Sequence, residues 1–133
     1  RVYAAKGNLT DAITAAQFAT QLNPENPLLF FQLGLLQYNK PDYTTAGASF
    51  AEALKLNPDY ANARYFLGLS LARLGKTAEA LVEFEKLAAS NPDNKEIALI
   101  VSTLRSGKSI FASGPQSQAA RPESRPTPPI RQN

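Results

Sequence analysis

The chain has no cysteine and no histidine among its 133 residues. Without cysteine there is no disulfide framework and no thiolate metal site, and without histidine the commonest general base and the commonest metal ligand are both missing. These absences remove most catalytic and zinc-binding readings, so no catalytic, cofactor-binding or metal-binding residue is expected. A long hydrophobic run is missing too. The richest stretch, 28–36, is broken by Gln32 and Gly34, well short of the roughly 18 apolar residues that a membrane span needs. Direct membrane insertion of this sequence is not expected. There is no initiator methionine and no basic start followed by an apolar run. Arg1 is accordingly read as an internal position of a longer protein.

A charge excess of one sign is also lacking where it would matter. The formal net charge is +3, which hints at nucleic acid until the charges are placed. Residues 1–105 carry ten Lys/Arg against ten Asp/Glu, whereas 106–133 hold Lys108, Arg121, Arg125 and Arg131 against Glu123. A neutral body without a basic stripe is poor material for phosphate neutralisation, and no nucleic-acid partner is expected.

What is present is a repeat. Asn-Pro occurs at Asn23-Pro24, Asn57-Pro58 and Asn91-Pro92, spaced by 34 and again by 34 residues. Between these marks Leu33-Gly34 returns as Leu67-Gly68, Ala46 as Ala80 and Phe50 as Phe84. Each recurrent residue has a physical task. Phe30, Leu33, Gly34 and Gln37 fall on one helical face, and Ala46, Phe50, Ala53 and Leu54 on a second helix. Small Gly34 and Ala46 let the two backbones approach, with Phe50 filling the space beside them; Gly68, Ala80 and Phe84 repeat this. Pro41 stops the first helix and Asp42 caps the next. Asn57 is expected to end that helix in the left-handed conformation, with Pro58 preventing continuation. The next unit predicts helices over about 61–74 and 77–90, with Arg64 standing where the previous unit has Phe30.

This period and these residues resemble the tetratricopeptide repeat. The resemblance implies an all-α fold, a right-handed superhelical array of antiparallel helix pairs. It divides the chain into the second half of a unit (1–26, with Gly7-Asn8 at its turn), two full units (27–60 and 61–94), a C-terminal cap helix (95–105) and a disordered tail (106–133). Half a unit cannot bury its own apolar face, so continuation upstream, or self-association through that half-unit, is expected. Such repeats also occur attached to bacterial O-antigen ligase-like enzymes, whose ends Leu104-Arg105-Ser106-Gly107-Lys108 resembles. The parent is therefore expected to be cytoplasmic or membrane-attached in a bacterium, with the compartment itself unknown.

The tail is rich in Ser, Gly, Gln, Arg and Pro and cannot bury enough to order itself. Ile110-Phe111 is its one apolar pair able to fold back, and Pro126-Thr127-Pro128-Pro129-Ile130-Arg131 fits a polyproline ligand pattern. Three motifs are set aside. Gly107-Lys108-Ser109 lacks the earlier glycine and preceding strand of a phosphate loop. Asn8-Leu9-Thr10 is a sequon placed in a tight turn. The carboxylates Glu79, Glu83, Glu85 and Glu96 read as a solvated face, Glu79 and Glu83 being four apart with Lys86 following.

The resemblance also implies that the first helix of each unit lines a concave surface that binds peptides or partner helices. Phe31, Leu35 and Tyr38 form one stripe there and Tyr65, Leu69 and Ala72 the next, with Gln32, Phe66 and Arg73 beside them. Repeats that clamp chaperone carboxyl termini carry lysine and asparagine where this chain has Phe31, Leu35, Tyr65 and Leu69, so that clamp is absent. Two readings of these residues stay open: a groove for a protein or peptide partner, or packing between neighbouring helices. At the level of function, a binding scaffold stands beside a structural or self-assembly module of a larger membrane or envelope protein.

Overall fold

The computed structural model describes residues 5–111, with side chains from Asn8 onward. Six helices follow one another: α1 (Ala5–Leu22), α2 (Pro27–Asn39), α3 (Tyr43–Leu56), α4 (Ala61–Arg73), α5 (Thr77–Ser90) and α6 (Lys95–Arg105). No strand occurs among the described residues. Each helix packs on the next in the chain, and α2 also approaches α4. Pairing in sequence order with a fixed 34-residue offset is an all-α solenoid of antiparallel helix pairs.

The recurrent Asn-Pro is the joint between units. Asn23, Asn57 and Asn91 each accept at their carbonyl from the amide three residues on, in Asn26, Tyr60 and Asn94. Asn26 and Asn94 then cap α2 and α6 through their side chains, accepting from Leu28 N and Ile97 N. Tyr60 makes no such cap; its ring instead lies 5.1 Å from that of Phe31. The left-handed ending expected at Asn57 does not occur. Asn57 is extended, at φ −141° and ψ 92°, because a following proline pushes its neighbour out of the helical and into the β region. Its Oδ1 accepts from Asp59 N at 3.2 Å, so the asparagine shapes the turn through its side chain.

The glycines do two different jobs. Gly34 and Gly68 lie under the rings of Phe50 and Phe84, where an added methyl would sit 2.6 Å from the nearest ring carbon in both units. Gly75 and Gly107 carry φ of +79° and +80°. There Lys76 N reaches Leu71 O and Gly75 N reaches Ala72 O, and Lys108 N reaches Thr103 O with Gly107 N on Leu104 O. This is the Schellman ending of a helix. The Gly107-Lys108 pair is thus a helix terminator.

Each unit carries one polar link across its helix pair. In the first, Ser49 donates to Gln37, both buried. In the second, Arg64 pairs with Glu83 at 2.7 Å, the side chains only 18% and 16% exposed, and also donates to Pro58 O. Glu83 and Ser49 are one period apart, as are Arg64 and Phe30. This corrects the reading of Glu83 as part of a solvated face: on α5 it falls with Ala80, Phe84 and Leu87, the residues buried in the pair.

Two further differences concern the ends. Gly7-Asn8, expected in a turn, lies inside α1, where one glycine costs about 1 kcal/mol against alanine and an 18-residue helix tolerates it. Residues 106–111, expected to open the tail, are placed: Ile110 packs against the cluster of Ala80, Phe84, Leu87, Ile97, Val101 and Leu104. The rest of the expected tail, including the polyproline pattern, lies outside the described residues.

Candidate peptide-binding groove

Two side-chain bridges join alternate helices and mark the face along which the first helices of successive units run. Tyr65 of α4 donates its hydroxyl to Glu96 of α6 at 2.9 Å. Arg73, at the other end of α4, donates Nε–H to the Tyr38 hydroxyl of α2 at 3.1 Å. All the residues expected in the groove belong to α2 or α4, and the structure sorts them into two groups.

Phe31, Phe66 and Tyr38 belong to an aromatic cluster between units. Phe66 lies at its centre, with ring centroids 6.0 Å from Phe31, 5.9 Å from Tyr38, 5.8 Å from Phe50 and 5.5 Å from Tyr65. Phe31 also touches Phe50 and Tyr60, and Tyr38 meets Tyr43 edge-on at 5.0 Å. Tilted and edge-to-face pairs of this kind add about 0.5–1.5 kcal/mol each beyond area burial. These rings are half-buried and bind unit to unit.

Tyr65, Leu35, Leu69, Gln32 and Arg73 form the second group. Tyr65 stands edge-on to Phe84 at 5.6 Å and keeps its hydroxyl at the surface on Glu96. Burial, then the hydrogen bond and charge of Glu96, push its pKa up to about 12. Leu35 and Leu69 are half-buried and Gln32 is exposed; Leu69 also packs on the α5–α6 core. Arg73 is exposed yet engaged: its guanidinium lies 3.7 Å from the Phe111 ring centroid, with Tyr43 on a further side at 5.7 Å.

Three contributors escape a reading of the sequence alone. Leu99 is 67% exposed on α6, and the period that links Phe31 to Tyr65 leads on to it. By residue type Glu96 groups with the surface carboxylates, and by composition Phe111 groups with the tail. Glu96 also borders a pocket of about 400 Å³ at the meeting of the start of α4, the end of α5 and the start of α6, floored by Phe66, Leu87 and Ile97 and rimmed by Asn62, Asn91 and Asn94. Among the described residues no group of His, Cys, Asp and Glu could hold a metal ion. No described helix is long and apolar enough to cross a membrane.

The family model described as "Tetratricopeptide repeat" matches residues 1–61 and again 42–95. The chain belongs to the tetratricopeptide-repeat family. A cytochrome c-type biogenesis protein, CycH of Rhizobium meliloti (strain 1021), is 36% identical over 94 residues, covering 68% of this chain; the chain spans about a quarter (25%) of that relative's length. Among solved tetratricopeptide structures, the first such domain of Spaghetti (RPAP3) bound to the HSP90 peptide SRMEEVD superposes with a TM-score of 0.70 at 22% identity, covering 79% of this chain and 83% of that one. The second domain of human RPAP3 in complex with the HSP70 peptide SGPTIEEVD gives 0.68 at 24% identity, covering 75% and 83%. The yeast Sti1 TPR2B domain in its Hsp70 complex gives 0.66 at 17%, covering 80% and 90%. At these identities the structures establish the solenoid fold.

Proposed function

We propose that this chain is a protein-binding scaffold that holds an extended or helical peptide segment of another protein along the first helices of its units. One observation carries this reading: the register at which Phe31 and Tyr65 each pack a ring against a neighbouring helix is held on α6 by Leu99, an apolar side chain left largely exposed. Leu35 and Leu69 flank them one helical turn on. The family is one of interaction modules, and no catalytic family is indicated. The three structural neighbours are chaperone-peptide complexes, which supports a peptide as the kind of ligand. The acidic EEVD endings of the two RPAP3-bound peptides do not suit the apolar side chains here. The curated relative adds a candidate parent, a protein of cytochrome c-type biogenesis, beside the O-antigen ligase-like one that Leu104 to Lys108 resembles. In either parent the scaffold would present another polypeptide to the rest of the machine.

The test is capture of a partner from an extract of the source cells, with binding of its identified segment then measured directly. A short array predicts affinity of about micromolar order. Leu99→Lys should weaken binding about tenfold, the size of one apolar anchor, while melting stays at the parent value because Leu99 is outside the core. Leu35→Lys with Leu69→Lys should abolish binding. Full affinity in a folded Leu99→Lys variant and in a folded double variant would remove this face as the site.

A specific observation favours a second reading, self-association. Phe18 and Leu22, one turn apart on α1, are 60% and 64% exposed. If that face joins copies, light scattering should show mass rising with concentration, and Phe18→Ser with Leu22→Ser should return it to the monomer.

A further inference from the structure

We propose that the pocket between the starts of α4 and α6 receives a lysine or arginine side chain of the bound peptide, with Glu96 as its counter-ion. This rests on the scaffold reading and names the chemistry of its ligand. Three other glutamates are matched by cations: Glu83 by Arg64, Glu85 by Arg105 and Glu52 by Lys55. Among the described residues Glu96 has no cationic partner; its Oε2 accepts from the neutral Tyr65 hydroxyl, leaving acceptor capacity on a carboxylate already held in place. A group fixed before binding loses little entropy on binding. It also stands in the first turn of α6, where the amides of a helix start favour a negative charge.

The floor fits the same ligand. Half-buried Phe66 and buried Leu87 and Ile97 line the pocket that Glu96 borders, and an apolar wall beside a carboxylate is what a long aliphatic stem with a charged head requires. The Tyr65 ring beside Glu96 adds an aromatic face for the cation. No lysine or arginine lines the pocket, so an acidic side chain finds no counter-ion in it. Arg73, the cation on this side of α4, is held between Tyr38 and Phe111 at the far end of the helix, about 12–17 Å from the pocket at 1.5 Å per residue. The ligand is therefore a peptide in which a basic residue is flanked by apolar ones, the apolar ones lying on Leu69 and Leu99.

The experiment uses the full chain and four pools of fluorescent nonapeptides, random except for a central lysine, arginine, glutamate or leucine, with binding followed by anisotropy. The lysine and arginine pools should bind about fivefold tighter than the glutamate pool, the scale of a partly exposed ion pair, and the difference should shrink with salt. Glu96→Gln, which keeps an acceptor for Tyr65, should erase the preference. Glu96→Lys should turn it towards glutamate, a gain that misfolding cannot imitate. Binding of all pools without basic preference, or an unchanged preference in Glu96→Gln, overturns the inference and leaves the scaffold standing. Binding of no pool overturns both.

Discussion

The ring of Phe84 lies over Gly68 so closely that a methyl placed on the glycine would meet Cε2 at 2.6 Å, and Phe50 covers Gly34 at the same distance one unit earlier. The glycine is required by the ring and the ring by the gap that the glycine leaves. Gly68→Leu should therefore cost about 1–3 kcal/mol, since the helices of the pair must part or the phenylalanine must leave its rotamer. Gly47 provides the control: a methyl there meets Leu67 at an ordinary 3.7 Å, and Gly47→Ala should be neutral or stabilise by up to about 1 kcal/mol. Urea denaturation of both variants measures the difference. Equal stability of the two would separate Gly68 from the close contact.

A second prediction concerns Arg64 and Glu83. Arg64→Phe restores the residue found one period earlier yet leaves Glu83 half-buried without its cation, at a cost of about 1–3 kcal/mol. Adding Glu83→Ser reproduces the earlier unit at both positions and should recover most of that loss. A double-mutant cycle reads the coupling directly. Additive costs would show that the 2.7 Å pair does not couple the helices.

Much of this is legible in the sequence because a solenoid repeats its instructions. The 34-residue period places α2 to α6, the helix contacts at Gly34 and Gly68, and the first-helix stripe. It cannot say which way Phe31 and Phe66 turn, since residues facing the next unit and residues facing a ligand share one helical periodicity. Arg64 stands out as a departure, but its partner is nineteen residues away and, taken alone, has the look of a surface charge. For Asn57 the residue type suggests the conformation asparagine tolerates, whereas the following proline imposes another. Phe111 belongs by composition to the tail, and only the glycine ending of α6 turns it back onto Arg73.

Truncation separates the turned-back residues from the remainder of the tail. Removing 112–133 should leave melting and helical content near the parent, because that composition offers little apolar area to bury. Removing 107–133 also deletes Ile110, packed against the α5–α6 core, and Phe111, stacked on Arg73. That loss should reach about 1–3 kcal/mol, the range for exposing partly buried apolar side chains. Thermal melting of the two truncations, side by side, decides the matter. Equal melting temperatures would show that the Arg73–Phe111 stack contributes nothing to stability.

The alkaline limb of stability should report on Tyr65. Its folded pKa is raised to about 12 from 10.0, first by burial and then by Glu96. A raised pKa means that the folded state holds the phenolic proton more tightly than the unfolded chain does. The resulting stabilisation of folding is complete below pH 10 and is lost as pH climbs from about 10 towards about 12. In that window ionisation would place a phenolate against the Glu96 carboxylate and break the hydrogen bond it now donates. Tyr65→Phe keeps the ring against Phe84 and removes the proton, so the variant should lose less stability than the parent between pH 10 and 12. At neutral pH it should be weaker by about 0.5–1.5 kcal/mol, the net value of one hydrogen bond. The quantity to follow is the difference between the two melting curves against pH, in which contributions common to both proteins cancel. A difference that stays constant from pH 8 to 12 would show that the Tyr65 proton is held no more tightly in the fold than in the unfolded chain.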